Sequence, residues 1–158
     1  MLVIQGWSLL ESFLQKLLTT LAQSPLLLGQ ALTEDLGPDH RLKALRRLAD
    51  SWLWRLNPET MGEAIGQLRE VKDLAKWIKS NKDSRNQLVH WQWGALDDEH
   101  LICFKYTLKP PPQSADFDPE AFGRTTITDI IEFAREIDAM NDRLQNATEV
   151  LEQLPPWT

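Results

Sequence analysis

Three polar residues, Arg85, Asn86 and His90, are of types that act together in proton transfer beside a bound anion. Histidine exchanges protons near neutral pH and therefore serves as a general acid or base. An arginine guanidinium pairs with phosphate and stabilises negative charge as it develops. An asparagine four residues before a histidine shares its helix face and can orient the imidazole or bind a phosphate oxygen. The set favours acid–base chemistry at a phosphate.

A basic stripe leads along the predicted helix to this motif. At roughly 100° per residue, several polar residues fall within about 40° of His90. These residues are Lys72, Lys76, Lys79 and Asn86. The pattern indicates either a path for an anionic ligand or a solvated lysine face.

Arg85 differs from this stripe because it falls on the apolar side of the same helix. That side is centred on Val71, Leu74, Ile78, Leu88 and Val89. A guanidinium in such a position needs an acidic partner or a wet interface, since an unpaired buried charge is costly. Glu11, at the edge of the first apolar stripe, is the predicted partner. A purely structural ion pair remains the alternative interpretation of Arg85.

Long segments with helical spacing of apolar residues position the motif. Predicted helices cover residues 7–23, 38–56, about 59–91 and 127–154, with a short helix as one interpretation of 26–37. Thr125 or Thr126 is the predicted cap of the last helix. Residues 100–108 are strand-like without an obvious partner, and 109–119 form a loop. The sequence predicts one domain, 1–158, that is all-α: an antiparallel four- to five-helix bundle with a long loop or short hairpin insertion before the last helix.

Composition narrows the classes of function. The net charge of −6 confines any nucleic-acid contact to a local patch. One cluster on the predicted second helix, Arg41, Lys43, Arg46 and Arg47, either extends such a patch or is a solvated face offset by nearby acids. Cys103 is the only cysteine, which excludes an intrachain disulfide and a cysteine-based zinc site. We expect no metal and no cofactor, and no membrane segment or signal peptide, hence a cytoplasmic protein.

The motif resembles that of HEPN domains. In that family an arginine, a polar residue that is commonly asparagine, and a histidine four to six residues after the arginine stand near the end of a helix in a small all-α domain. The matching stretch is Arg85-Asn86-Gln87-Leu88-Val89-His90, followed by Trp91-Gln92-Trp93-Gly94.

The resemblance implies a homodimer in which the motifs of two chains face each other and form a metal-independent endoribonuclease. Arg85, Asn86 and His90 would be catalytic, and Lys72, Lys76 and Lys79 would bind RNA. The reaction would leave 2′,3′-cyclic phosphate and 5′-hydroxyl ends. Such proteins act in toxin–antitoxin or defence settings, which implies an antitoxin or operon partner.

One residue departs from the toxin subgroup of this family. HEPN toxins paired with nucleotidyltransferase antitoxins have a tyrosine two residues after the histidine, where the antitoxin modifies them. Gln92 occupies that place and has no phenolic hydroxyl. Two alternatives therefore stay open: a non-catalytic HEPN-type module that binds RNA or a partner protein, and a helical interaction protein unrelated to the family.

Overall fold

Four α-helices and a small β-sheet make up the fold, as given by a computed structural model that describes residues 2–24, 29, 36–104 and 122–156. The helices are α1 (Leu2–Leu21), α2 (Pro38–Arg55), α3 (Gly62–His90) and α4 (Ile127–Leu151). The strands are β1 (Gln92–Ala95), β2 (His100–Phe104) and β3 (Phe122–Thr126). The chain is mostly helical, as predicted.

Each helix buries one apolar face in a single core. Leucines at helical spacing on α1 meet the corresponding faces of the other three helices, so burial of apolar surface is the main stabilising term. The side chains with almost no exposed surface include Leu10, Leu17, Leu45, Trp52, Leu68, Leu74, Ile137 and Leu144.

α3 runs antiparallel to α2. Lys82 Nζ lies 2.8 Å from Asp39 Oδ2, and Lys72 Nζ lies 2.6 Å from Asp50 Oδ1. Residue numbers thus rise along α2 as they fall along α3. The antiparallel arrangement predicted for neighbouring helices is confirmed for this pair.

α1 and α4 run in the same direction, which corrects the prediction of a wholly antiparallel arrangement. Asn141 Nδ2 donates to the Gly6 carbonyl at 2.9 Å, and Lys16 Nζ lies 2.8 Å from Glu152 Oε1. Numbers therefore rise together along both helices. α2 also runs in the direction of α1, since Trp52 Nε1 donates to the Leu21 carbonyl near the ends of both helices, while Trp7 and Pro38 near their starts line one cavity.

The sheet connects the end of α3 to the start of α4. Its strand order is β1-β2-β3 and both pairings are antiparallel. Residues 100–104 of the strand predicted at 100–108 therefore pair with two neighbours, where no partner was obvious from the sequence. β1 and β3 were not predicted, because strands of four or five residues carry too little alternation to be recognised alone.

Thr126 caps α4, as one of the two predicted residues. Its hydroxyl accepts from the Asp129 backbone N–H at 3.0 Å, and Asp129 Oδ2 accepts from the Thr126 backbone N–H at 2.9 Å. This reciprocal capping box lowers the pKa of Asp129, mainly through the hydrogen bond from the Thr126 backbone. The start of α4, and with it the end of the sheet, is thereby fixed.

Some predictions fall beyond the part of the chain that the structure describes. The loop at 109–119 lies outside it, as does the short helix at 26–37 except for Gly29 and residues 36–37. Within the described ranges, no helix combines the length and the apolar character that a membrane span requires.

Two helical glycines give opposite expectations for substitution by alanine. A Cβ at Gly6 would lie 2.8 Å from Ile137 Cγ2, whereas a Cβ at Gly66 would meet no heavy atom within 4 Å. Gly6→Ala should therefore lower the free energy of unfolding by about 1–3 kcal/mol, through overpacking against α4. Gly66→Ala should raise it by about 0.5–1 kcal/mol, because the unfolded chain loses conformational freedom. Urea unfolding measures both, and equal shifts in one direction would contradict the packing of α1 on α4.

Candidate functional site

The last turns of α3 carry the motif predicted from the sequence. α3 ends at His90, and Trp91 follows in extended conformation while its N–H still donates to the Gln87 carbonyl at 3.1 Å. The chain then enters β1 directly. His90 is consequently held at the exposed C-terminal end of a long helix, where its ring faces solvent.

Arg85 is half-buried and only partly satisfied. Its Nη1 donates to Asn86 Oδ1 at 3.1 Å. Its Nε is buried and meets no acceptor among the described residues. Arg85 thus lies on the apolar side of α3, as predicted, with one buried N–H donor that has no acceptor among the described residues.

A cavity of about 260 Å³ lies beside Arg85, between α1, α2 and α3. One part of its wall is apolar and the other part is charged or polar. The apolar side chains include Trp7, Leu14, Leu42 and Ile78, and the polar ones are Glu11, Arg41, Lys82, Arg85 and Asn86. Cations outnumber carboxylates in this wall, so the cavity favours an anionic group.

Glu11 was predicted to hold Arg85, and that prediction is wrong. Both residues line the cavity, but no salt bridge joins Arg85 to a carboxylate in residues 2–24, 36–104 or 122–156. Glu11 Oε1 instead accepts a hydrogen bond from Trp7 Nε1 at 3.1 Å, one turn away on α1. The indole holds this carboxylate on its own helix.

Arg85 and His90 do not share one described pocket. Five residues on a helix correspond to a rotation of about 140°, so Arg85 points to the cavity and His90 to solvent. Asn86 links the two, because it binds Arg85 and lies one turn before His90 on the same face. The motif within one chain is therefore spread around the helix.

The three predicted RNA-binding lysines have unequal surroundings. Lys72 pairs with Asp50 at 2.6 Å, and Lys76 pairs with Asp73 at 3.1 Å. Lys79 forms no salt bridge with any described residue. The lysine stripe is present on α3, but the charges of Lys72 and Lys76 are partly neutralised by their aspartate partners.

A groove between α2 and α3 brings this stripe together with the basic cluster of the second helix. It measures about 560 Å³, and Lys43, Arg46 and Arg47 of α2 line it opposite Lys76 and Lys79 of α3. Sequence reasoning left open whether the cluster on the second helix extends this stripe, because the register of two helices depends on tertiary packing. Arg41 lines the cavity beside Arg85 instead.

A histidine–aspartate pair in the β1–β2 turn, Asp97 with His100, has a structural explanation. His100 Nδ1 lies 2.8 Å from Asp97 Oδ1. The same carboxylate accepts from the backbone N–H groups of Glu99 and His100 at 2.9 and 2.8 Å, and these bonds, that of Glu99 first, lower the pKa of Asp97. Asp97 thus closes the turn.

Comparison with known proteins adds no relative: no family model, no curated protein and no solved structure matches this chain. Among the residues that the structure describes, no three histidine, cysteine, aspartate or glutamate side chains are grouped so as to hold a metal ion.

Arg85 forms no salt bridge with a described carboxylate, and this predicts how substitution of Arg85 affects stability. We expect Arg85→Met to leave the free energy of unfolding within about 1 kcal/mol of the wild type, or to raise it, because the substitution removes a buried donor without breaking an ion pair. Glu11→Gln, which keeps an acceptor for Trp7, is the matched control and should also change little. Urea unfolding measures both. A loss of about 3 kcal/mol in Arg85→Met would show that the residue is a structural ion pair.

Proposed function

We propose that this chain is a HEPN-type protein that acts as a homodimeric, metal-independent endoribonuclease in a toxin–antitoxin or defence setting. Its four helices would correspond to the helical bundle of that family. The proposal rests on the motif, on its position in the last turns of α3, and on the surroundings of Arg85.

The observation that carries the proposal is that the Arg85 guanidinium has no carboxylate partner among the described residues and only one hydrogen bond. A half-buried arginine usually has a carboxylate partner, since a desolvated charge without one is unstable. Arg85 has only the Asn86 carboxamide among the described residues, and its buried Nε has no acceptor. A phosphate oxygen is the chemical group that such a donor lacks.

The chemistry divides among the three residues as follows. His90 takes the proton of the 2′-hydroxyl or protonates the 5′-leaving oxygen. Arg85 stabilises the negative charge that builds on the scissile phosphate, and Asn86 orients either group. Because Arg85 and His90 point to different sides of α3, a second copy of the chain is proposed to complete the constellation across a two-fold axis.

Exposed apolar side chains at the β1–β2 turn and the start of α4 support a second copy. Leu96, Ile127 and Ile131 are each close to half exposed. The backbone N–H of Leu96 donates to His100, and that of Ile127 donates to Glu99, so Leu96 and Ile127 flank the same β1–β2 turn. Burial of these side chains in a dimer interface would remove apolar surface from water.

A non-catalytic module that binds RNA or a partner protein is the second candidate. The observation that favours it is the lack of a hydrogen-bond partner for His90 among the described residues. Catalytic histidines are commonly oriented by a third group. In this alternative, Arg85 still binds a phosphate group, but His90 transfers no proton.

Cleavage of mixed RNA by the purified full chain in EDTA tests the proposal. We expect His90→Ala to reduce the rate by about 10²–10⁴-fold, the usual contribution of a general acid or base. Arg85→Ala should reduce it by roughly 10²–10³-fold, as loss of a charge-stabilising donor does. Products should carry 2′,3′-cyclic phosphate and 5′-hydroxyl ends.

His40→Ala is the matched control, since His40 is exposed on α2 and does not line the cavity. Its activity should equal that of the wild type. No cleavage by the wild type, or cleavage undiminished in both His90→Ala and Arg85→Ala, would contradict catalysis by this motif.

A further inference from the structure

We propose that the groove between α2 and α3 binds the phosphodiester backbone of an RNA strand. The site is distinct from the motif and draws on α2, which the family resemblance assigns no role. Its cationic side chains are Lys43, Arg46, Arg47, Lys76 and Lys79.

The groove concentrates positive charge on an otherwise acidic protein. Five cations line it against two carboxylates, whereas the whole chain has a net charge of −6. Its two carboxylates, Asp39 and Asp50, are engaged by lysines, Lys82 and Lys72 respectively. The hydrogen bond and charge of Lys82 also lower the pKa of Asp39, which keeps that pair ionised. The groove therefore attracts anions although the molecule as a whole repels them.

Four of the five cations are uncommitted within the described residues. Lys76 pairs with Asp73, which lies outside the groove lining. Lys43, Arg46, Arg47 and Lys79 form no salt bridge with a described residue. An anion entering the groove thus meets side chains that need not first break an existing pair.

Two ion pairs that join α2 to α3, Asp39 with Lys82 and Asp50 with Lys72, lie toward the two ends of the groove. Asp39 and Asp50 lie 11 residues apart on α2, which corresponds to about 16 Å at 1.5 Å per residue. The groove is thus an elongated channel, and a linear ligand fits it better than a compact one.

The lining favours a phosphodiester backbone over an acidic protein segment. Leu42 and Ala75, the apolar residues in the described lining, are both buried, so the groove exposes no hydrophobic side chain of the kind that anchors a peptide. Lysine and arginine together make backbone contacts that are independent of base sequence.

Continuity with the motif supports RNA as the strand, and this part of the inference rests on the proposed function. Lys79 and His90 share one face of α3 and lie about 16 Å apart along it, at the helical rise of 1.5 Å per residue. A strand lying in the groove can continue along that face to the end of α3. The groove would then position RNA while the motif acts on it.

Fluorescence anisotropy with a labelled 2′-O-methyl oligouridylate tests the groove without cleavage. An oligonucleotide of about 12 nucleotides is long enough, since such sites span about 4–16 nucleotides. Arg46→Ala combined with Lys79→Ala should weaken binding by the full chain by about tenfold or more at physiological salt. It should also reduce the slope of log K against log salt by about 1.4, because each phosphate contact contributes about 0.7.

Lys16→Ala combined with Arg135→Ala is the control, because it removes the same charge from α1 and α4. Equal weakening by this pair would overturn the proposal, since only net charge would then matter. Tighter binding of an oligo-aspartate peptide than of the oligonucleotide would overturn it in favour of an acidic protein partner. Binding and catalysis are tested separately. Weaker binding by the groove variant would support the groove even if the protein cleaves no RNA. Cleavage that is unchanged in the groove variant would leave the proposed role of Arg85, Asn86 and His90 unaffected.

Discussion

Contact among three aromatic side chains, Trp7, Trp77 and Phe133, fixes the middle of α3, about two turns before Arg85. Their ring centroids are 6.2–6.4 Å apart, and they join α1, α3 and α4. Such pairs add about 0.5–1.5 kcal/mol each beyond the burial of area. Trp7 also lines the cavity beside Arg85 and holds the Glu11 carboxylate. A residue of this core contact therefore also binds the carboxylate that was predicted to hold Arg85.

The two faces of α3 follow from this arrangement. On one side, Arg85 and Asn86 line a partly apolar cavity with an unsatisfied donor, which is a local cost of the kind that functional sites carry. On the other, Lys76 and Lys79 face the basic residues of α2 across a groove. His90 lies at the end of the helix that carries both surfaces. α3 would thus align the proposed RNA groove with the proposed catalytic residues. Since Arg85 and His90 point to different sides of α3, a second copy of the chain would bring an arginine and a histidine together.

Sequence reasoning succeeded where a pattern was long or local. The extended helical spacing predicted α2 to within one residue at each end, and the cap at Thr126 follows from hydrogen bonds to near neighbours. β1 and β3 were missed because strands this short are stabilised by their pairing with β2 rather than by their own alternation. Arg85 was placed correctly on the apolar side, but its partner was not. Which carboxylate lies near Arg85 depends on the register of α1 against α3, which the sequence does not reveal. In the structure the Glu11 carboxylate accepts a hydrogen bond from Trp7 and forms no ion pair with Arg85.

The most direct test of the account follows the Arg85 Nε–H resonance in a proton–nitrogen correlation spectrum of the full chain. The resonance is assigned by its loss in Arg85→Lys, and Glu11→Gln should leave it in place because no ion pair joins the two residues. Addition of the uncleavable 2′-O-methyl oligouridylate should shift it, as a phosphate oxygen becomes the acceptor that the buried Nε lacks. A resonance that stays unmoved while the oligonucleotide saturates the protein would contradict a phosphate site at Arg85.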